Sequence, residues 1–97
     1  MATYITLMNF TDQGIRNVKD STKRAEAFQE AAKRLGVTVK EIYWTLGQYD
    51  IVATVEGPDA PSVTALGLFL GAMGNVHTQT LRAFGAAEMK QILDKMA

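Results

Sequence analysis

Cysteine is absent from this chain of 97 residues, histidine occurs once and proline only twice. Without cysteine there are no disulfides, no thiolate nucleophile and no thiolate metal site, a composition that fits a reducing compartment. The lone histidine, His77, has no spaced carboxylate pair to join it. One imidazole is too thin a donor set for zinc or iron, so neither a metal nor a cofactor is expected. Charge of one sign is also missing, because ten basic residues balance ten acidic ones. A nucleic-acid binder draws most of its affinity from a basic stripe, and none is present, so that class is set aside.

Long hydrophobic runs are lacking as well. No charged residue occurs from Ala60 to Leu81, but the strongly apolar part runs only from Val63 to Gly74 and contains Gly67, Gly71 and Gly74. A membrane span needs about 20 apolar residues, so a buried helix is expected here and no membrane partner. The stretch from Met1 to Ile5 lacks the basic and apolar segments of a signal peptide, which points to a cytoplasmic protein. The length suits one domain, over residues 1–97. A domain of this size buries only about 60–65% of its unfolded surface, and pairing with another copy is a common remedy.

What is present is a regular alternation of elements. Residues 3–10 alternate like a strand, with Ile5 and Leu7 on one side and Tyr4, Thr6, Met8 and Phe10 on the other. Thr11 followed by Asp12 reads as a helix N-cap, and Asp20-Ser21 as a second cap, so a break is expected between them. From Ser21 to Leu35, Ala25, Phe28, Ala31, Ala32 and Leu35 form one apolar stripe, which Gly36 ends. Residues 37–47 and 49–56 read as strands. Gly57-Pro58-Asp59-Ala60-Pro61 then opens a helix to about Gly74, "VHTQTLRAF" gives a fourth strand, and Ala87 to Met96 an amphipathic helix. The order β-α-β-β-α-β plus a terminal helix is that of an α+β, ferredoxin-like fold with a four-stranded antiparallel sheet.

The segment "YWTLGQYDIV", residues 43–52, is the densest in chemistry. Gly47 and Gln48 suit a two-residue type II′ turn, whose first central position takes a positive φ that glycine tolerates. Leu46 would then oppose Tyr49, Thr45 oppose Asp50, Trp44 oppose Ile51 and Ile42 oppose Ala53. This reading puts Ile42, Trp44, Leu46, Tyr49, Ile51, Ala53 and Val55 on the core face, with Ile5, Leu7, Leu81 and Ala83 added by composition. The second face, with Tyr43, Thr45, Val52, Thr54, Tyr4, Thr6, Met8, Phe10, Thr78, Thr80 and Arg82, is too apolar for a solvated surface and is expected to be covered by another subunit. Asp50, beside the turn, is expected to accept backbone N–H groups or the Thr45 hydroxyl and so to be structural.

"YWTLGQYDIVATVEGPD" and the later "GNVHTQTLRAF" together resemble the GYD-domain family, small bacterial and archaeal proteins whose name matches Gly47, Tyr49 and Asp50 here. The resemblance implies a ferredoxin-like fold of the dimeric α/β-barrel type, in which two sheets pack face to face. It implies no particular reaction. One departure is His77, which stands where arginine is common in the family, and this weakens a catalytic role for it.

The candidate ligand-binding residues are Asn9, Arg24, Trp44, Tyr49 and His77, and Gly47 and Asp50 are the structural turn. Parity places His77 with Gln79, Leu81 and Ala83 on the helix side. Arg24, at the margin of its stripe, would snorkel or reach an anionic ligand, Asp50 or Glu56, and Arg82 would pair with a carboxylate across subunits. The outward face of the third helix, with Thr64, Ala65, Leu68, Gly71 and Ala72, has no charge. It is expected to lie under the Met89–Met96 stripe or a neighbouring molecule. No nucleophile–base pair stands out. The leading expectation is an oligomeric small-molecule-binding or structural module, with a small apolar or aromatic ligand. The alternative is a cofactor-independent monooxygenase or isomerase, built from a shaped apolar pocket with a few polar groups.

Overall fold

A computed structural model describes residues 1–96. The elements follow the order β1 (Ala2–Phe10), α1 (Asp12–Arg16), a 3₁₀ turn (Val18–Asp20), α2 (Ser21–Arg34), β2 (Thr38–Trp44), β3 (Ile51–Gly57), α3 (Ala60–Ala72), β4 (Val76–Ala83) and α4 (Ala86–Asp94). The strands form one antiparallel sheet in the order β2-β3-β1-β4, so the first and third strands lie at the centre. This is the ferredoxin-like architecture that the element order led us to expect.

Local chemistry explains the boundaries. The Thr11 hydroxyl accepts the Gly14 N–H at 3.0 Å and caps α1, and the Asp59 carboxylate accepts the Ser62 N–H at 2.8 Å and caps α3. The expected break ahead of Ser21 is the 3₁₀ turn, although Asp20 makes no side-chain cap bond. Gly36 ends α2 with φ +73°, a conformation that residues with a Cβ adopt reluctantly.

The core lies between α2 and α3 and one face of the sheet. Phe28, Ala31 and Ala32 of α2 and Val63 and Leu66 of α3 meet Met8, Ile51, Ala53, Val55 and Val76, with Tyr4 and Phe10 packed beside them. Full burial of the larger side chains among these, such as Phe28, Val55 and Leu66, contributes about 1.5–3 kcal/mol each, so the strand face that meets the helices is strongly specified.

That face corrects the sequence reading. The pairs Tyr4↔Val55, Thr6↔Ala53 and Met8↔Ile51 put Tyr4, Thr6, Met8 and Phe10 on the helix side. Arg82 pairs with Tyr4, Thr80 with Thr6 and Thr78 with Met8, so these join the same side. Ile5, Leu7, Leu81, Ala83 and His77 therefore lie on the open face. The parity within each strand is as expected, but the side is reversed for β1 and β4. Both residue sets of β1 are apolar enough for either side, and only the pairing register decides.

On β2 the pairs Ile42↔Ala53 and Trp44↔Ile51 match the expectation, and a bulge at Lys40 separates Val39↔Val55 from Glu41↔Thr54. In α3, Val63 and Leu66 are buried and Leu68 is exposed, as its periodicity implies. Phe69, and Met73 at the helix end, are also substantially exposed, although the same helical wheel places them with Val63 and Leu66.

Candidate interaction site

The β2–β3 connection is longer than a two-residue turn. The ladder stops at Trp44 and Ile51, and residues 45–50 form the loop. Thr45 N–H donates to the Asp50 carbonyl at 2.8 Å, but Leu46 and Tyr49 do not continue the ladder. The reason lies in β1: the Asp50 N–H is taken by the Met8 carbonyl at 2.9 Å. The Asp50 carboxylate in turn accepts the Phe10 N–H at 2.9 Å. Asp50 thus anchors the loop to the central strand as well as to its hairpin partner Thr45. Gly47, with φ +106°, makes the reversal that a side chain would strain.

Two more bonds hold the loop. The Thr45 hydroxyl donates to the Tyr49 carbonyl at 2.6 Å, and the Asn9 amide donates to the Gln48 carbonyl at 2.7 Å. The result is a loop whose polar groups are tied down and whose apolar tip is bare. Leu46 is fully exposed at 102%, while Tyr43 and Trp44 are exposed at 55% and 45%. Alternation predicts Leu46 in the core; with no ladder partner it points to solvent instead. Its exposure is not legible in the sequence, because an apolar residue in an alternating run reads as core.

The five candidate ligand residues divide between the two faces of the sheet. Asn9 pairs with His77 across β1 and β4 on the open face. Tyr49 joins them through a long hydroxyl contact to Gln79, 3.4 Å. Trp44 and Arg24 lie on the helix side and line a cavity of about 50 Å³ with Phe10, Phe28 and Ile42. The Arg24 guanidinium donates to the Asn17 carbonyl at 2.8 Å, the Gly14 carbonyl at 3.4 Å and the Ser21 hydroxyl at 3.3 Å. It stitches α1 to α2, and reaches neither Asp50 nor Glu56. Arg82, expected to pair across subunits, is bound within the chain to Glu88 at 2.9 Å and lies over the rings of Tyr4 and Phe84.

On the open face, Tyr43 donates its hydroxyl to Glu41 at 2.5 Å. That bond, strengthened by the negative charge of Glu41, raises the phenol above its ordinary value because ionising it would lose the donor. This face also carries Ile5, Leu7, Val52, Thr54, Gln79 and Leu81 beside Asn9 and His77, with Glu56, paired to Lys40 at 3.4 Å, towards its other end. Among the described residues no three histidine, cysteine or acidic side chains cluster as a metal site would require. No helix among them is long and apolar enough to cross a membrane.

Comparison with known proteins agrees with this architecture. The GYD domain model matches residues 4–93. A Thermus thermophilus protein called "Glutamine synthetase and cystathionine beta-lyase binding protein" is 39% identical over 90 residues, spanning 92% of this chain and 95% of its own length. The crystal structure of TTHA0845, also from Thermus thermophilus, is similar with a TM-score of 0.56 and 30% identity, over 89% of this chain and 96% of that one. An FFRP chain of known crystal structure has a TM-score of 0.61 over 87% of this chain and 100% of its own; at 24% identity it supports the fold alone. The anchored Gly47-Gln48-Tyr49-Asp50 loop, the β2-β3-β1-β4 sheet and the match along nearly the whole chain have one conclusion: this protein belongs to the GYD-domain family.

Proposed function

We propose that the protein is a homo-oligomeric, non-catalytic binding module that presents the 45–50 loop, with the end of β2 that leads into it, to a partner enzyme. The observation that carries this reading is the combination of a tied loop and a bare apolar tip. Leu46 is fully exposed, and Tyr43 and Trp44, on opposite faces of the end of β2 that leads into the loop, are about half exposed, while Asp50, Asn9 and Thr45 hold the backbone beneath. Tyrosine and tryptophan on a rigid support are the residue types that dominate protein–protein affinity, because little conformational entropy is lost when they dock. The open face, with Ile5, Leu7, Val52 and Leu81, supports self-pairing sheet to sheet.

The Thermus relative, whose name states that it binds glutamine synthetase and cystathionine β-lyase, makes the corresponding enzymes the first partners to test. Such partners agree with a cytoplasmic location and with a role that needs no cofactor. The candidate polar residues fall on opposite faces of the sheet, which argues against the oxygenase or isomerase reading. A cavity of about 50 Å³ beneath Trp44 has room for a water or two, or for a very small apolar ligand, rather than for an aromatic substrate.

Surface plasmon resonance against purified glutamine synthetase and cystathionine β-lyase from the same organism tests the proposal. Leu46→Asp should weaken binding at least about tenfold, about 1.4 kcal/mol, with the circular dichroism spectrum unchanged. Unchanged affinity in that variant, or no binding by the wild type, would overturn it.

A further inference from the structure

The terminal helix is the least accounted-for part of the fold. α4 scarcely touches any other element, and it is held at its first turn by the Arg82–Glu88 pair. The radius of gyration, 14.6 Å, exceeds the value of about 12.5 Å expected for a compact chain of this length, as a projecting arm requires. Nine residues make about 13.5 Å of helix, and isolated helices that short are marginal in water. One side of the arm carries Met89 and Leu93, exposed at 45% and 51%, with Ile92 and Met96 beside them. Its charged residues, Glu88, Lys90, Asp94 and the following Lys95, lie off that stripe. An exposed helix with this pattern needs a surface to cover it.

The same chain has such a surface. Between α3 and β4 runs an open groove of about 850 Å³, with Thr64, Gly67, Leu68 and Gly71 along one wall and Thr78 and Thr80 along the floor. α3 has no charged residue along its length, and its 13 residues give about 19.5 Å of wall, long enough for the whole of α4. Nothing lies within 4 Å of the place a Cβ would take on Gly71, so a helix can approach closely there. Arg82, the one cation at the groove among the described residues, is already neutralised by Glu88. Neither surface would have to desolvate an unpaired charge on docking.

We infer that the Met89–Leu93 side of α4 from one copy packs into the α3–β4 groove of a second copy. A second copy is the occupant because helix and groove match in length, in apolar character and in freedom from unpaired charge, while α4 makes at most marginal contact with α3 of its own chain. This contact uses a different surface from the loop and open face above, and it stands or falls independently of them.

The absence of cysteine makes the test direct. Copies carrying Leu68→Cys are mixed with differently tagged copies carrying Leu93→Cys, equilibrated, oxidised and run on a denaturing gel without reductant. A mixed-tag covalent dimer as the main product is expected. Only like-tag dimers, or none, would overturn the inference. The double variant L68C/L93C separates the intramolecular case, since a fast-running cross-linked monomer would mean that α4 reaches its own groove and would also overturn it. Separately, Leu68→Glu should lower the assembly mass by native mass spectrometry with circular dichroism unchanged. An unchanged mass would count against the inference, whereas Leu46→Asp should leave that mass alone.

Discussion

The Asp50 carboxylate accepts the backbone N–H of Phe10 at 2.9 Å across 40 positions of sequence. This bond makes the loop after β2 an extension of the central strand β1. A hydrogen bond to a charged acceptor contributes about 1.5–3 kcal/mol, and its loss also strands the Phe10 N–H. Asp50→Ala should therefore lower stability by about 2 kcal/mol in urea unfolding. It should also weaken partner binding, because the tip bearing Leu46 loses its anchor. Asp50→Asn keeps an acceptor and should cost less.

Gly14 is buried where α1 meets the end of α3, and a Cβ there would collide with the Asn75 carbonyl. Thr11 N–H also donates to that carbonyl, at 3.0 Å. Gly14→Ala should cost about 1–3 kcal/mol through overpacking against backbone that has no rotamer to yield. Thermal melting would show the loss. Gly71→Ala, with open space around it, should change stability much less.

Arg24 spends its guanidinium on the Asn17 and Gly14 carbonyls and the Ser21 hydroxyl. A lysine carries the charge but not the planar fork. Arg24→Lys should destabilise the fold by about 1 kcal/mol in chemical denaturation. If Arg24 served mainly to hold an anionic ligand, the same change would leave stability alone.

Two carboxylates should lend the fold some sensitivity to acid. Asp59 is held below its ordinary value of 3.8 by the Ser62 N–H, and Glu88 below 4.5, chiefly by the hydrogen bond from Arg82. A carboxyl depressed in the folded state stabilises it at pH values above the unfolded pKa. That contribution fades as pH falls through the folded value. The melting temperature should therefore drop between about pH 5 and pH 3, and Asp59→Asn should make that drop shallower. An identical pH profile in the variant would show that the cap is not among the groups responsible.

The sequence by itself determined the element order and most of the boundaries, because these rest on local chemistry. Thr11 and Asp59 cap, Gly36 stops, and the α2 stripe has the period of a helix. It also determined parity within each strand, since a period of two is a property of the extended backbone. Much of the hairpin register followed too, with Trp44 opposite Ile51 and Ile42 opposite Ala53.

Only the tertiary structure decided which parity faces the helices. Ile5 and Leu7 compete with Tyr4, Met8 and Phe10 on nearly equal terms, and a strand buried to some degree on both faces gives no local sign. The site divided for the same reason: once β1 and β4 turn over, His77 and Asn9 leave the side on which Trp44 and Arg24 remain. The loop was decided across the sheet as well. Met8 and Phe10 take the N–H and the carboxylate of Asp50, leaving only its carbonyl to Thr45, so the ladder does not continue to Leu46 and that side chain is left in water.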